Sequence, residues 1–315
     1  MRQRRIDQII VLAISLSAMP ATAQTSASDW AARTANDVRV VNNITYLTAN
    51  NWEAQLDLYV PRTPGPHPTV LLIHGGGWVG GSRESTVLRA LPYLEMGFAI
   101  VNVSYRLGRV SPAPAAVVDC LCALRWVIRN AEEYGLDPNR IVTMGYSAGG
   151  HLALTTGLIP TSAGLDRQCP GTESLEVAAV VNWYGITDVA DLLDGPNMRS
   201  YAVEWLGSRP DRVDVATRLS PLTYVRRDLP PVLTIHGDAD PLVPYPHATR
   251  LHAALQAAGA TSELVTIPNG QHGTFSPPDQ IRAVGAIRAF FEKHGIITEG
   301  MTRPKAAAQS AVERR

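Results

Sequence analysis

Residues 140–150 read Arg140-Ile141-Val142-Thr143-Met144-Gly145-Tyr146-Ser147-Ala148-Gly149-Gly150. An apolar run leads into Gly-x-Ser-x-Gly, and small residues lead out of it. This is the pattern of a strand, a sharp turn and a helix, with a serine at the tip. The glycines have a mechanical reason. A serine on so sharp a turn takes a strained backbone, and side chains two positions either side would collide with neighbouring elements. The motif alone is weakly specific, so its meaning depends on what the chain places around it.

Working outward, short apolar runs alternate with helical segments. Segments 38–47 and 53–60 alternate in polarity like two strands, separated by Asn50-Asn51. Val70-Leu71-Leu72-Ile73 is a continuous apolar strand of the kind buried on both faces. Further strands are expected at 98–103, 141–144, 177–183, 232–235 and 263–267. Helices are expected at 85–96, 114–134, 148–158, 246–258 and 279–294. The long helix 114–134 has its stop at Gly135 and Pro138. The alternation predicts an α/β fold: a mostly parallel central sheet with helices on both faces, led by an antiparallel hairpin. It lapses only over residues 187–224, which read as a small helical lid over the strand ends.

The termini read differently. Met1-Arg2-Gln3-Arg4-Arg5, an apolar stretch Ile9–Leu16 and Ala21-Thr22-Ala23 form a basic, an apolar and a small-x-small segment. Together they predict a signal peptide over 1–23 and a periplasmic or extracellular protein, without a membrane anchor because the apolar run is short. Residues 24–37 read as a flexible lead-in, 38–296 as one domain and 297–315 as a disordered tail.

Of the 315 residues 45% are hydrophobic and 18% charged, with a formal net charge of zero. That balance suits a globular chain and argues against a nucleic-acid partner. The three cysteines, Cys120, Cys122 and Cys169, suggest either one bridge and one free thiol in an oxidising compartment or three unpaired thiols. Cys120 and Cys122 lie on one helix facing different ways. Either could reach Cys169, and Cys122 is favoured, four residues before Trp126 on the face expected to turn inward. No Cys-x-x-Cys or His-rich cluster implies a metal.

In open parallel sheets ligands bind beyond the carboxyl ends of the strands. Those ends carry, in chain order, His74-Gly75-Gly76-Gly77-Trp78, Ser147, Tyr184-Gly185, His236-Gly237-Asp238-Ala239-Asp240 and Asn269-Gly270-Gln271-His272-Gly273. A nucleophilic serine needs a base, and a histidine base needs a third group to fix its tautomer. His272, in a Gly-flanked loop, is the candidate base. His151, one turn after Ser147, reads as a support, and His67, His247, His252 and His294 as peripheral. Asp240 is preferred over Asp238 as the orienting acid, because Val243-Pro244 then opens the next helix. The three glycines let backbone N–H groups face a developing oxyanion, so Gly76, Gly77 and Ala148 are the candidate donors. A phosphate loop is disfavoured, since no Lys-Ser/Thr follows.

These motifs together resemble an α/β-hydrolase of the esterase/lipase branch that carries His-Gly-Gly-Gly. Within it, His74–Trp78, Gly145–Ala153 and His236–Pro244 most resemble the feruloyl-esterase-like carboxylesterases and the similar formamidases, over roughly residues 38–295. Hormone-sensitive-lipase-like enzymes usually carry Asp where this chain has Tyr146, and a larger N-terminal cap. The resemblance implies an exported serine carboxylesterase acting on short-acyl or aryl esters, free or attached to polysaccharide, through an acyl-serine and without a cofactor. Trp78, Tyr146, Trp183, Tyr184 and Trp205 are expected to line the substrate pocket. A prolyl-oligopeptidase-type peptidase, a formamidase and a non-catalytic binding module on the same fold are the alternatives. The peptidase would normally bring a propeller domain, and the binding module would have lost part of the constellation.

Overall fold

The computed structural model describes residues 27–298. The chain begins with helix α1 (Ala27–Asn36) and the hairpin β1 (Val38–Ala49) and β2 (Trp52–Pro61). Asn50 and Asn51 turn it at φ 51° and 59°, a left-handed conformation that asparagine tolerates. There follow β3 (His67–Ile73), α2 (Val87–Glu95), β4 (Ala99–Val103), α3 (Ala115–Arg129) and α4 (Ala131–Tyr134). Next come β5 (Leu136–Tyr146), α5 (Ala148–Leu158), β6 (Ala179–Trp183), α6 (Ser200–Leu206) and α7 (Arg212–Arg218). The chain closes with β7 (Val232–Gly237), α8 (Pro246–Ala258), β8 (Ser262–Ile267) and α9 (Pro277–Lys293).

The eight strands form one sheet in the order β1-β2-β4-β3-β5-β6-β7-β8. The β1/β2 and β2/β4 pairs are antiparallel, and every pair from β4 to β8 is parallel. The carboxyl ends of β3, β5, β6, β7 and β8 therefore share one edge. Successive residues of β3 point to opposite faces. Leu71 and Ile73 enter a core with Leu124, Leu152 and Trp205, while Val70 and Leu72 enter a second with Met144, Phe290 and Phe291. Both faces are covered, which is why β3 reads as an unbroken apolar run.

Three expectations change at the margins. The lead-in is ordered: residues 27–36 form α1, whose Trp30 and Ala31 pack against the second core. A short helix gains its stability from such packing, which its own sequence does not reveal. The helix over 114–134 breaks at Asn130 into α3 and α4, and Gly135 at φ 71° ends it. The expected tail starts too early, since Ile297 is buried beside Ile296. The expected signal peptide, residues 24–26 and residues 299–315 lie outside the described residues. No helix among the described residues is long and apolar enough to cross a membrane.

The segment 187–224 holds α6, α7 and three 3-10 turns at Ala190–Leu192, Gly195–Asn197 and Pro221–Tyr224. Below it, Cys122 on α3 is bonded to Cys169, and Cys120 is a buried free thiol. Residues 115–127 of α3 are buried all round, so an inward face does not distinguish the two cysteines. Their direction towards the 160s loop does.

Candidate active site

Ser147 sits between β5 and α5 at φ 57°, ψ −121°, a conformation costly for a residue with a side chain. The surrounding packing holds it there. Its N–H donates to the Trp183 carbonyl at 2.9 Å, and its carbonyl accepts from His151 N–H at 3.0 Å. A Cβ on Gly145 would strike the Gly149 backbone, and one on Gly149 would strike the Ile73 and His74 carbonyls. The two glycines thus let α5 start directly against the end of β3. This close approach brings the serine turn and the three-glycine loop side by side.

His272 lies in the loop between β8 and α9. Its Nε2 is 2.8 Å from Ser147 Oγ, and its Nδ1 is 2.7 Å from Asp240 Oδ2. A carboxylate can only accept, so Nδ1 carries the proton and Nε2 presents a lone pair to the serine hydroxyl. Asp240 Oδ1 accepts from the Leu242 and Val243 N–H groups at 2.8 and 2.9 Å. Burial alone would push this carboxyl up. Hydrogen bonds from His236, His272 and Val243 outweigh burial and hold it well below the usual carboxylate range. Asp240 therefore stays ionised while facing His272. Asp238 does another job: its Oδ1 accepts from Asn269 N–H at 2.6 Å and braces the loop leading to His272.

The loop after β3 turns back on itself. Gly76 and Gly77 have φ 118° and 61°, and the Gly76 carbonyl accepts from Val79 and Gly80 N–H. A Cβ on Gly76 would run into the Gly80 backbone. Among the described residues no hydrogen-bond acceptor faces the N–H of Gly76, Gly77 or Ala148. Gly76 and Gly77 border the cavity that contains Ser147 and His272, and Ala148 is the buried first residue of α5. His74 stays with its own loop, its Nδ1–H donating to the Gly75 carbonyl at 2.7 Å while Tyr105 stacks on it at 4.3 Å.

The cavity holds about 520 Å³ and is walled by Tyr146, Tyr184, Tyr201, Arg89 and Leu242 beside Ser147 and His272. Tyr184 packs edge-on to His272 at 4.7 Å. Of the expected pocket residues, Tyr146 and Tyr184 border this cavity, and Trp183 borders a neighbouring one of about 330 Å³. Trp78 and Trp205 border neither. Both are fully buried and stack on each other at 4.2 Å. Two large apolar rings gain more from mutual burial than from a wet cavity wall, so the expectation that they line the pocket is corrected to core packing. Arg89 and Tyr201 escaped sequence reasoning. Each sits on a short helix whose cavity-facing side is set only by how that helix docks. Among the described residues no cluster of three His, Cys, Asp or Glu side chains is placed to hold a metal.

The family model named BD-FAE matches residues 56–255. The chain is 32% identical over 212 residues to esterase LipQ of Mycobacterium tuberculosis, covering 65% of this chain and 50% of that protein. It is 26% identical over 237 residues to the isoprenylcysteine alpha-carbonyl methylesterase ICME of Arabidopsis thaliana, covering 72% and 56%. The chain spans about half the length of the curated relatives it matches. Among solved structures, the thermophilic esterase Est2 of Thermogutta terrifontis superposes with a TM-score of 0.69 at 26% identity, covering 84% of this chain and 95% of that one. A truncated carbohydrate esterase from gut microbiota gives 0.70 at 26% identity, covering 81% and 96%. These likenesses agree with the α/β-hydrolase architecture.

Proposed function

The chain belongs to the BD-FAE family, and we propose that it is a serine carboxylesterase. The observation that carries the proposal is the continuous line from Asp240 through His272 to Ser147, with unpartnered N–H groups of the glycine loop across the same cavity.

In this reading Ser147 Oγ attacks the ester carbonyl and its proton passes to His272 Nε2. The carbonyl oxygen becomes an oxyanion, which the Gly76, Gly77 and Ala148 N–H groups stabilise. One such donor contributes about 3 kcal/mol to the transition state. Asp240, ionised and close to Nδ1, stabilises the imidazolium. His272 then returns the proton to the departing alcohol, leaving an acyl-serine. Water enters, gives its proton to His272, and its oxygen attacks the acyl carbon. Ser147 leaves with the proton held by His272, and the carboxylic acid departs. No step requires a cofactor.

The tyrosine-walled cavity favours short-acyl or aryl esters, such as acetyl or feruloyl groups on plant polysaccharide. The carbohydrate esterase among the structural neighbours points the same way. The basic, apolar and small-residue segments at residues 1–23 support export to the periplasm or medium.

Hydrolysis of p-nitrophenyl esters from acetate to palmitate, by wild type and by Ser147→Ala, tests the activity. Turnover of the short esters that disappears in the variant is expected. An inert wild type, or an equally active variant, would defeat the proposal. Methyl ferulate and acetylated xylan then rank the substrates. The mass of the secreted protein tests export, and an intact Met1 there would refute it.

A further inference from the structure

The two cavities at the strand ends share three wall residues: Arg89, Tyr146 and Tyr184. They therefore meet along one line. On one side lies the Ser147–His272 cavity. On the other lies the compartment of about 330 Å³ walled by Trp183, Phe275 and Tyr93, with Gln280 at its edge. Arg89 stands at the junction. Its guanidinium lies 4.2 Å above the Tyr146 ring and its Nη1 donates to the Tyr184 hydroxyl at 2.9 Å. No ion pair within 4.0 Å joins it to an acidic side chain among the described residues.

This placement is unusual for a structural arginine. The other arginines near the core are matched: Arg83 with Asp57, Arg106 with Asp119 and Arg125 with Asp166. Arg89 has tyrosines for neighbours instead. An arginine fork has five N–H donors, and the bond to Tyr184 uses one. Tyr93, Tyr146 and Tyr184 border the second compartment with Gln280, whose amide donates to the Phe275 carbonyl at 2.9 Å, and no carboxylate borders either cavity. The Trp183 indole N–H is buried there with no acceptor. A cation without a counter-charge, beside aromatic faces, matches a flat, apolar group that ends in a carboxylate. The planar fork favours that group through two parallel hydrogen bonds.

We propose that Arg89 and the adjoining aromatic compartment form an anion-reading subsite, which selects esters bearing a free carboxylate on their acyl or alcohol portion. The subsite lies next to the nucleophile but takes no part in bond breaking. It builds on the esterase reading and names the class of substrate that the site prefers.

The test compares matched neutral and anionic esters in wild type, Arg89→Gln and Arg89→Glu. The acyl arm uses p-nitrophenyl hemiglutarate against p-nitrophenyl valerate. The alcohol arm uses 4-carboxyphenyl acetate against phenyl acetate. In at least one arm, the ratio of anionic to neutral kcat/KM should fall tenfold or more in Arg89→Gln and further in Arg89→Glu. The loss should lie mainly in KM, and the wild-type ratio should decline with added salt. A merely structural role would lower both members of each pair together. Ratios unchanged within twofold in both arms would overturn the proposal. Glutarate and 4-hydroxybenzoate binding to the full chain, followed by tryptophan fluorescence, separates this failure from a failure of the esterase reading. Binding to wild type that weakens tenfold in Arg89→Gln supports the subsite even where no ester is cleaved. Binding that is absent or indifferent to Arg89 refutes it whatever the esterase activity.

Discussion

The indole N–H of Trp78 donates to Nδ1 of His151 across 3.1 Å, between the loop after β3 and the helix after β5. His151 Nε2–H in turn donates to the Leu219 carbonyl at 2.7 Å, within the helical excursion of residues 187–224. Trp78 follows Gly77, and His151 follows Ser147 by one turn. This buried link therefore ties the glycine loop, the serine helix and the covering segment together. Trp78→Phe keeps most of the ring but leaves the His151 Nδ1 lone pair unpaired. A cost of about 1–3 kcal/mol is expected. Trp78→Ala also opens a cavity, for about 3–5 kcal/mol. Urea denaturation of the two variants checks both figures.

Asp240 should matter far beyond its charge. Asp240→Asn keeps the shape, but its amide can offer a donor to Nδ1 and so favour the wrong imidazole tautomer. A fall in kcat of about 10³–10⁴ is expected. Asp238→Asn, two residues away, loosens only the brace to Asn269. It should cost stability of about 1 kcal/mol and less than tenfold in kcat. Equal effects of the two variants on turnover would place the orienting role wrongly.

Stability should fall in mild acid. Burial pushes His151 down to about 4, against the opposing pull of the Leu219 carbonyl, and His74, His247 and His252 are each lowered to about 4 chiefly by burial. Their ordinary value is 6.5. Between these limits the unfolded chain binds protons that the folded chain refuses. Stability is therefore full above about pH 6.5 and declines towards pH 4. For the fully buried His151 the gap amounts to about 3 kcal/mol. Asp240 has the opposite origin: its carboxyl is held low, so its contribution is lost only as pH falls below its ordinary 3.8. Urea midpoints measured from pH 7.5 to 4 should drop steadily, and His252→Gln should flatten the slope. A flat profile for wild type would contradict this.

The bridge between Cys122 and Cys169 spans 47 residues of chain. Closing a loop of that length restricts the unfolded ensemble by about 4 kcal/mol in the chain-entropy model. The double variant Cys122→Ala/Cys169→Ala should therefore melt several degrees lower. Thiol titration in denaturant should find one reactive cysteine, Cys120, in the unreduced protein. Three reactive thiols would show the bridge to be absent.

Much of the site was legible because its parts are local. Gly145 and Gly149 bracket Ser147 within one turn, and the glycines after His74 free the neighbouring amides without reference to distant contacts. Each lies directly after an apolar strand, and parallel strands bring such ends to one edge. The order Ser147, Asp240, His272 is thus readable as a constellation from the strand ends alone. Local pattern also fixed the hairpin turn at Asn50-Asn51 and the helix stop at Gly135.

The wall of the cavity was not legible. Trp78 and Trp205 stand close in sequence to the expected site, yet they stack on each other in the core. Arg89 carries no motif, yet it faces both cavities. The choice between inward and outward depends on the rotation of α2 and α6 about their axes, and that is set by packing against partners far away in the chain. The same holds for α1, which is too short to be stable alone and is ordered by contacts of Trp30. Backbone chemistry at strand ends is written in consecutive residues, so the sequence by itself determined the sheet and which polar groups meet at its edge. Side-chain surroundings are a sum over distant neighbours. Only the tertiary structure decided which aromatic rings are core, which thiol faces Cys169, and that Arg89 lies among tyrosines with no acid beside it among the described residues.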